Sequence, residues 1–324
     1  MTPYISIVIP TFRRPALLVR CLHALVHQDF PQNKYEIIVV TDGPDEMTVK
    51  AIKELTIASP VINVYSLPGK KGPAAARNMG WQIAKGTFIL FTDDDCIPHK
   101  GWIQAFYTAH MQQAQTVVAF TGQVIVPRSE QPTDYEKNIA WLEKADFVTA
   151  NCACTKQALE QTGGFDEAFT MAWREDSDLQ FKLIDHDIPI HAIQDAIVTH
   201  PVRKACWGIS LKEQKKSMFN ALLYKKYPGL YKQKIRKHPL WNYYAIALSF
   251  IIGIAAALLH ANQIMTIAFI AWLLLVMQFT IKRLNGTRHT ADHIAEMIVT
   301  SILIPFLSIY WTLYGSLKFK TLLL

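Results

Sequence analysis

Three consecutive aspartates, Asp93-Asp94-Asp95, close the apolar run Phe88-Ile-Leu-Phe-Thr92 and are followed by Cys96-Ile-Pro98. Adjacent carboxylates repel one another, and strand residues i and i+2 point the same way, so Asp93 and Asp95 are expected to converge while Asp94 turns aside. A divalent cation relieves that repulsion. Mg²⁺ is commonly held by one or two carboxylates plus substrate phosphates, and Mn²⁺ accepts the same oxygen ligands. A solvated acidic turn after a strand is the other reading of the same residues. A second acidic group, Glu175-Asp-Ser-Asp178, opens a predicted helix, where the dipole favours negative charge. Acids so close together raise the proton affinity of at least one of them.

These side chains need elements to position them. Tyr4 to Pro10, Glu36 to Thr41, Val61 to Ser66 and Phe88 to Thr92 are short apolar runs rich in β-formers, the pattern of strands in a parallel sheet. Helices predicted over Ala16 to Val26, Met47 to Ala58 and Ala74 to Lys85 alternate with them. Pro73 opens the last of these, at a position where a missing N–H costs little. The alternation implies an α/β fold with a mostly parallel sheet, whose ligands sit at the carboxyl ends of the strands. Beyond Gly101 the pattern loosens. A helix is expected near Trp102 to Gln113, strands over Val117 to Val126 and Phe147 to Cys154, a loop over Pro127 to Lys137, and a short helix over Lys156 to Gln161. A last strand, Ala196 to Thr199, ends at His200-Pro201.

Charge and hydropathy divide the chain. It has 324 residues, 51% of them hydrophobic, and a net charge of +7. Between Arg203 and His238 there are eleven Lys or Arg and one acid, a local +10, so the remainder carries −3. That is a basic segment beside an apolar one, not a nucleic-acid binder. Trp207 to Tyr227 is expected to be one amphipathic helix of the kind that lies at a lipid surface. Uncharged runs at 241–259 and 264–281, and a third apolar run at 294–317, each match the ~20 residues needed to cross a bilayer. Lys and Arg before the first run and after the second put both flanks on the cytoplasmic side. Five cysteines without repeating spacing argue against a disulfide framework and for a reducing compartment. Cys152 and Cys154 read as reduced strand thiols.

The chain resembles the inverting family 2 glycosyltransferases of the GT-A fold. The resemblance is carried by Ser6-Ile-Val-Ile-Pro-Thr11, Val39-Val-Thr-Asp-Gly43, Gly72-Pro-Ala-Ala-Ala-Arg-Asn-Met-Gly80, Phe91-Thr-Asp-Asp-Asp95, Gly163-Gly-Phe-Asp166 and Glu175-Asp-Ser-Asp178. It implies a Rossmann-like catalytic domain over 1–202, followed by basic amphipathic juxtamembrane helices over 203–239 and a transmembrane helical region over 240–324. It also implies a nucleotide diphosphate sugar as donor. Thr11, Arg13 and Asp42 fall where such enzymes hold the base and ribose. Arg77 and Asn78, near a helix start, suit a diphosphate, and Asp93 and Asp94 also stand on the donor side. Asp95, Asp93 and His200 correspond to ligands of a divalent metal, Mn²⁺ or Mg²⁺. Asp176, with Glu175, corresponds to the base that takes the acceptor hydroxyl's proton. Asp166 and Trp173 fall on the acceptor side.

The expected protein is therefore a multi-pass enzyme of the inner cell membrane with its catalytic domain in the cytoplasm. Its acceptor is expected to be a lipid or a cell-envelope glycan. No Gln-x-x-Arg-Trp follows the acidic motif, which favours transfer of one sugar over a processive polysaccharide synthase. A catalytically silent nucleotide-sugar-binding membrane protein is the reading from another class.

Overall fold

The computed structural model describes residues 3–55, 57 and 59–323. By compactness the chain divides into two units, one made of residues 1–127 and 140–202, the other of 128–139 and 203–324.

In the first unit, strands and helices alternate as β1 (Ile5–Thr11), α1 (Pro15–Val26), β2 (Tyr35–Thr41), α2 (Glu46–Lys53), β3 (Val61–Ser66), α3 (Pro73–Ile83) and β4 (Phe88–Thr92). A two-residue β5 (Ile97–Pro98), α4 (Trp102–Met111) and β6 (Ala119–Ile125) follow. Every residue of β1, β2 and β4 is buried, as central strands covered on both faces require. Completely burying side chains such as Phe88 and Phe91 contributes roughly 2–3 kcal/mol each. Helix α3 lies close on the sheet because its inner face is small. Ala74, Ala75 and Ala76 are buried, and a Cβ on Gly80 would stand 2.3 Å from a Val8 methyl.

After α5 (Asp134–Ile139), which belongs to the second unit, come β7 (Asn151–Thr155), α6 (Lys156–Thr162), α7 (Glu175–Asp185) and β8 (Ile190–Thr199). The described strands form one eight-stranded sheet in the order β3-β2-β1-β4-β7-β6-β8-β5. Its first half is parallel, but β7 runs antiparallel to β4 and β6, and β5 antiparallel to β8. The sheet is thus mixed beyond β4.

Several elements differ from their expected bounds. Helix α2 stops at Lys53, and the expected end at Ala58 lies outside the described residues. Residues 148–151 form a turn, closed by the Asn151 N–H donating to the Val148 carbonyl, so the strand begins later than its apolar run. Strand β8 begins six residues earlier than expected. Its first half is too polar to read as a strand and is made one by pairing with β6 across a register shift at Gly122/Gln123.

The second unit contains α8 (Ile209–Glu213), α9 (Met218–Lys226), α10 (Pro228–Lys234), α11 (Trp241–Leu258), α12 (Asn262–Leu284) and α13 (Ala291–Lys318). The last three are long and apolar enough to cross a membrane. The expected helix over 207–227 is broken by a 3₁₀ turn at Gln214–Ser217. Just after it, α9 meets α13 so closely that a Cβ on Gly315 would stand 2.4 Å from the Met218 carbonyl. Segment 128–139, which overlaps the loop expected over Pro127 to Lys137, carries α5. Its Asp134 accepts from Arg283 Nη2 of α12 at 2.8 Å, and the same buried guanidinium donates to Thr300 and Ser301 of α13.

Candidate active site

The strand β4 ends at Thr92, and the three aspartates that follow form a turn in which the Cys96 N–H donates to the Asp93 carbonyl at 3.1 Å. The alternation that would have converged Asp93 and Asp95 needs extended backbone and ends here, so the three carboxylates take separate partners. Asp93 Oδ1 accepts from Arg77 Nη2 at 2.7 Å. Asp94 accepts from Thr11 Oγ1 at 2.7 Å and from Arg14 Nη1 at 3.2 Å. Burial pushes the Asp94 carboxyl up to about 6, against the pull of Arg14 and Thr11. Asp95 Oδ1 lies 3.6 Å from His200 Nε2.

Asp95, Cys96 and His200 each offer a ligand atom, all within 4.8 Å of one another and all on buried residues. His200 Nδ1 has no hydrogen-bond partner among the described residues, an unfavourable state for a buried polar atom that coordination would relieve. Oxygen and nitrogen donors arranged this way fit a divalent ion. Asp93 stands outside that cluster and is held by Arg77.

Arg77 joins the two acidic motifs. Its second amino group, Nη1, donates to Glu175 Oε1 at 3.3 Å, and the side chain is almost wholly buried. Burial and the neighbouring Asp176 push the Glu175 carboxyl up to about 7, against the opposing charge of Arg77. Burial also raises Asp176, although the Ser177 N–H donates to its Oδ1 at 2.6 Å and Arg174 and Arg77 add positive charge. Two buried carboxyls this close raise the proton affinity of the pair, an arrangement found where side chains exchange protons with a ligand.

Segment 165–173 is seated on the start of α3. Gly72, the residue before Pro73, has φ +104°, and a Cβ there would stand 2.5 Å from the Thr170 carbonyl. Asn78 donates to the Phe165 carbonyl at 2.9 Å and to Glu167 at 3.0 Å, while its own oxygen accepts from Phe165 N–H and Trp81 Nε1. That amide is fully engaged in holding the segment, a different task from the diphosphate contact expected of it. Asp166 caps its own turn by accepting from Ala168 N–H. Arg174 takes the left-handed backbone, φ +74°, and its guanidinium lies 4.7 Å from the Trp173 ring centre. Trp173 remains 39% exposed, so it presents a face to solvent.

At the end of β2, Asp42 Oδ1 accepts from the Lys71 and Gly72 N–H groups at 2.6 and 2.9 Å. Its other oxygen makes no hydrogen bond among the described residues. Arg13, at φ +54°, is exposed and donates its N–H to Asp45 at 2.6 Å. Asp45 also caps α2 through Thr48. Burial raises its carboxyl, but these hydrogen bonds outweigh it and hold it below the usual carboxylate range. Phe12 carries Lys70 Nζ 4.3 Å above its ring. Sequence reasoning missed Arg14, Asp45 and Cys96 as members of this neighbourhood. An Asp directly before a helical pattern is a cap signature that marks Asp45; Arg14 and Cys96 are brought in by tertiary contacts.

The geometry is that of a known family. The family model described as "Glycosyl transferase family 2" matches residues 6–169, half of the chain. Glycosyltransferase AglE of Haloferax volcanii is 30% identical over 102 residues, covering 32% of this chain and 34% of that protein. Validoxylamine A glucosyltransferase of Streptomyces hygroscopicus is 24% identical over 248 residues, covering 66% and 52%. The chain therefore spans about a third to a half of these relatives' lengths. Among solved structures, the mannosyltransferase PcManGT of Pyrobaculum calidifontis, in complex with GDP-Man and Mn²⁺, superposes with a TM-score of 0.56 at 19% identity, covering 88% of this chain and 86% of that one. The first unit accordingly has the GT-A fold, and the chain belongs to glycosyl transferase family 2.

Proposed function

We propose that the protein is a membrane-anchored, metal-dependent, inverting glycosyltransferase that moves one sugar from a nucleotide diphosphate sugar to an acceptor hydroxyl. The observation that carries this reading is the placement of one buried guanidinium, Arg77, between Asp93 at the acidic strand end and Glu175 beside Asp176. Diphosphate side and base side are thereby held at the two ends of one rigid fork.

In this reading Thr11, Arg13 and the unengaged oxygen of Asp42 receive the base and ribose. Asp95 and His200 would hold a divalent ion, which when bound would stabilise the charge of the leaving nucleoside diphosphate; Asp93, expected as a further ligand, is instead held by Arg77 outside that cluster. Arg77 orients both Asp93 and Glu175. Asp176 takes the proton of the acceptor hydroxyl as it attacks the anomeric carbon opposite the departing phosphate. Asp166 and the exposed face of Trp173 border the acceptor. The three apolar helices anchor the chain with the catalytic unit on the cytoplasmic side. The basic segment that precedes them is attracted to anionic headgroups at about 1 kcal/mol per Lys or Arg. That attraction favours a lipid or lipid-linked glycan acceptor.

The test is release of nucleoside diphosphate from UDP-, GDP- and dTDP-sugars by the full chain in lipid, with Mn²⁺ or Mg²⁺. Acceptor-dependent release with one donor, lost in Asp176→Asn, is expected. Donor binding without turnover, unchanged by that substitution, would overturn the reading. Equal transfer to soluble and lipid acceptors would overturn its acceptor part.

A further inference from the structure

We infer that the cleft between the start of α11 and the end of α12 binds one anionic phospholipid, its phosphate held by Lys282, Asn242 and Gln278 and an acyl chain laid on Ile246, Leu275 and Phe279. The inference rests on reading α11 and α12 as membrane spans and is independent of the glycosyl-transfer reading.

Three observations carry it. The first is a cavity of about 150 Å³ lined by these six residues. Leu275, Gln278, Phe279 and Lys282 share one face of α12, and Asn242 and Ile246 one face of α11, by their helical spacing. The second is a graded polarity. Asn242 lies in the first turn of α11 and Lys282 in the last turn of α12, so the polar end of the cavity falls where the two apolar helices end, the level of headgroups for a span. Ile246, one turn further in, is fully buried, and the Phe279 wall is backed by Tyr243, with ring centres 5.3 Å apart. The third is that the polar side chains are unspent. Asn242, Gln278 and Lys282 are exposed and make no side-chain hydrogen bond or ion pair among the described residues. Arg283, the next residue, is by contrast buried and committed to Asp134, Thr300 and Ser301.

The lining then decides the occupant. Asn and Gln amides within a span ordinarily bond across to a neighbouring helix; these two leave their donors at the cavity. Two amides and an ammonium supply N–H groups and one uncompensated positive charge, which match a phosphate diester. A zwitterionic headgroup brings its own cation against Lys282, so a headgroup of net negative charge is preferred. Basic pockets between spans take such headgroups. An apolar cavity of this size holds a group about as large as benzene, room for a few methylenes of an acyl chain and not for the headgroup, which stays at the polar rim.

The experiment is native mass spectrometry of the full chain released from phosphatidylcholine vesicles with and without phosphatidylglycerol. One phosphatidylglycerol should stay on each chain, preferred over phosphatidylcholine by roughly fivefold. Lys282→Ala should lower its retention by about the same factor. Leu275→Trp, which fills the cavity, should abolish it. Lys225→Ala removes an exposed cation of the basic segment that does not line the cavity and should change retention by less than about twofold. Should Leu275→Trp not fold, the contrast between the two lysine variants decides. Retention that ignores headgroup and variant alike would mean adventitious annular lipid only and would overturn the inference. So would a lipid-free mass of two chains that Leu275→Trp separates, which assigns the cleft to a second copy. Displacement of the lipid by soluble glycerol phosphate would overturn it too, because no acyl chain would then be needed. Each of those outcomes leaves the spans standing, whereas a chain that fails to float with phosphatidylcholine vesicles would overturn the reading of α11 and α12 as spans.

Discussion

Arg77 Nη1 lies 3.3 Å from Glu175 Oε1, and both side chains are at least 95% buried. The other amino group of the same guanidinium is spent on Asp93 at 2.7 Å. Removing one member of such a set leaves charge without compensation in a dry interior. Arg77→Ala should therefore cost about 3 kcal/mol and abolish transfer. Arg77→Lys, a point charge where a fork is needed, should recover part of the stability but little of the activity. Thermal unfolding and donor turnover on the same preparations check this. Turnover within a factor of a few of the parent for the alanine variant would remove Arg77 from the proposed site.

The Glu175/Asp176 pair sets a pH dependence. Burial raises both carboxyls, and Glu175 reaches about 7. A raised acid favours the folded state fully below its ordinary value of about 4.3, and that advantage is lost as pH rises through the folded value. Stability of the parent relative to Glu175→Gln should thus decline between about pH 4 and 7. The rate should run the other way. In the proposed mechanism the ionised pair is the base, so kcat/KM should climb toward an inflection near neutrality, reported for the pair as a unit. A profile flat from pH 5 to 8 would contradict the assignment of the base.

Asp45 is an N-cap that also receives the Arg13 N–H. Asp45→Ala should lower stability by about 1–2 kcal/mol and raise the donor KM, because the Arg13 turn loses its anchor. Its carboxyl is held below the ordinary value. Its contribution is therefore present above about pH 4 and lost as pH falls through the lower folded value. Asp45→Asn, which keeps a cap, should retain part of the stability and lose this acid dependence, as equilibrium unfolding at pH 3 to 6 will show.

Two glycines three residues apart give an internal control. A Cβ at Gly72 would meet the Thr170 carbonyl at 2.5 Å on a left-handed backbone, whereas one at Gly69 meets nothing within 4 Å among the described residues. Gly72→Ala should cost roughly 2 kcal/mol or more and reduce turnover by displacing the segment that leads to Trp173 and the acidic helix. Gly69→Ala should leave melting temperature within the range of a surface change, about ±0.5 kcal/mol. Equal behaviour of the two variants would contradict the seating of that segment on Gly72.

What the amino-acid sequence determined by itself is whatever depends on local pattern. The apolar runs of β1, β2 and β4, the Pro-led helix α3, the acidic start of α7 and the three long apolar helices are legible because strand burial, helix capping and bilayer length are read from neighbouring residues. The three aspartates, Arg77 and the Glu-Asp pair were legible as candidates too, since each lies near a terminus of such an element. Tertiary structure decided which of these side chains meet. Asn78 is committed to Phe165 and Glu167 by a packing contact nearly ninety positions away. Cys96 meets His200 through the register of β5 on β8, a hundred positions apart. Segment 128–139 packs with α12 and α13 through Asp134 and Arg283, although it interrupts the catalytic unit in sequence. A pairing register and a buried ion pair are properties of two surfaces brought together, and neither surface's own residue pattern encodes its partner.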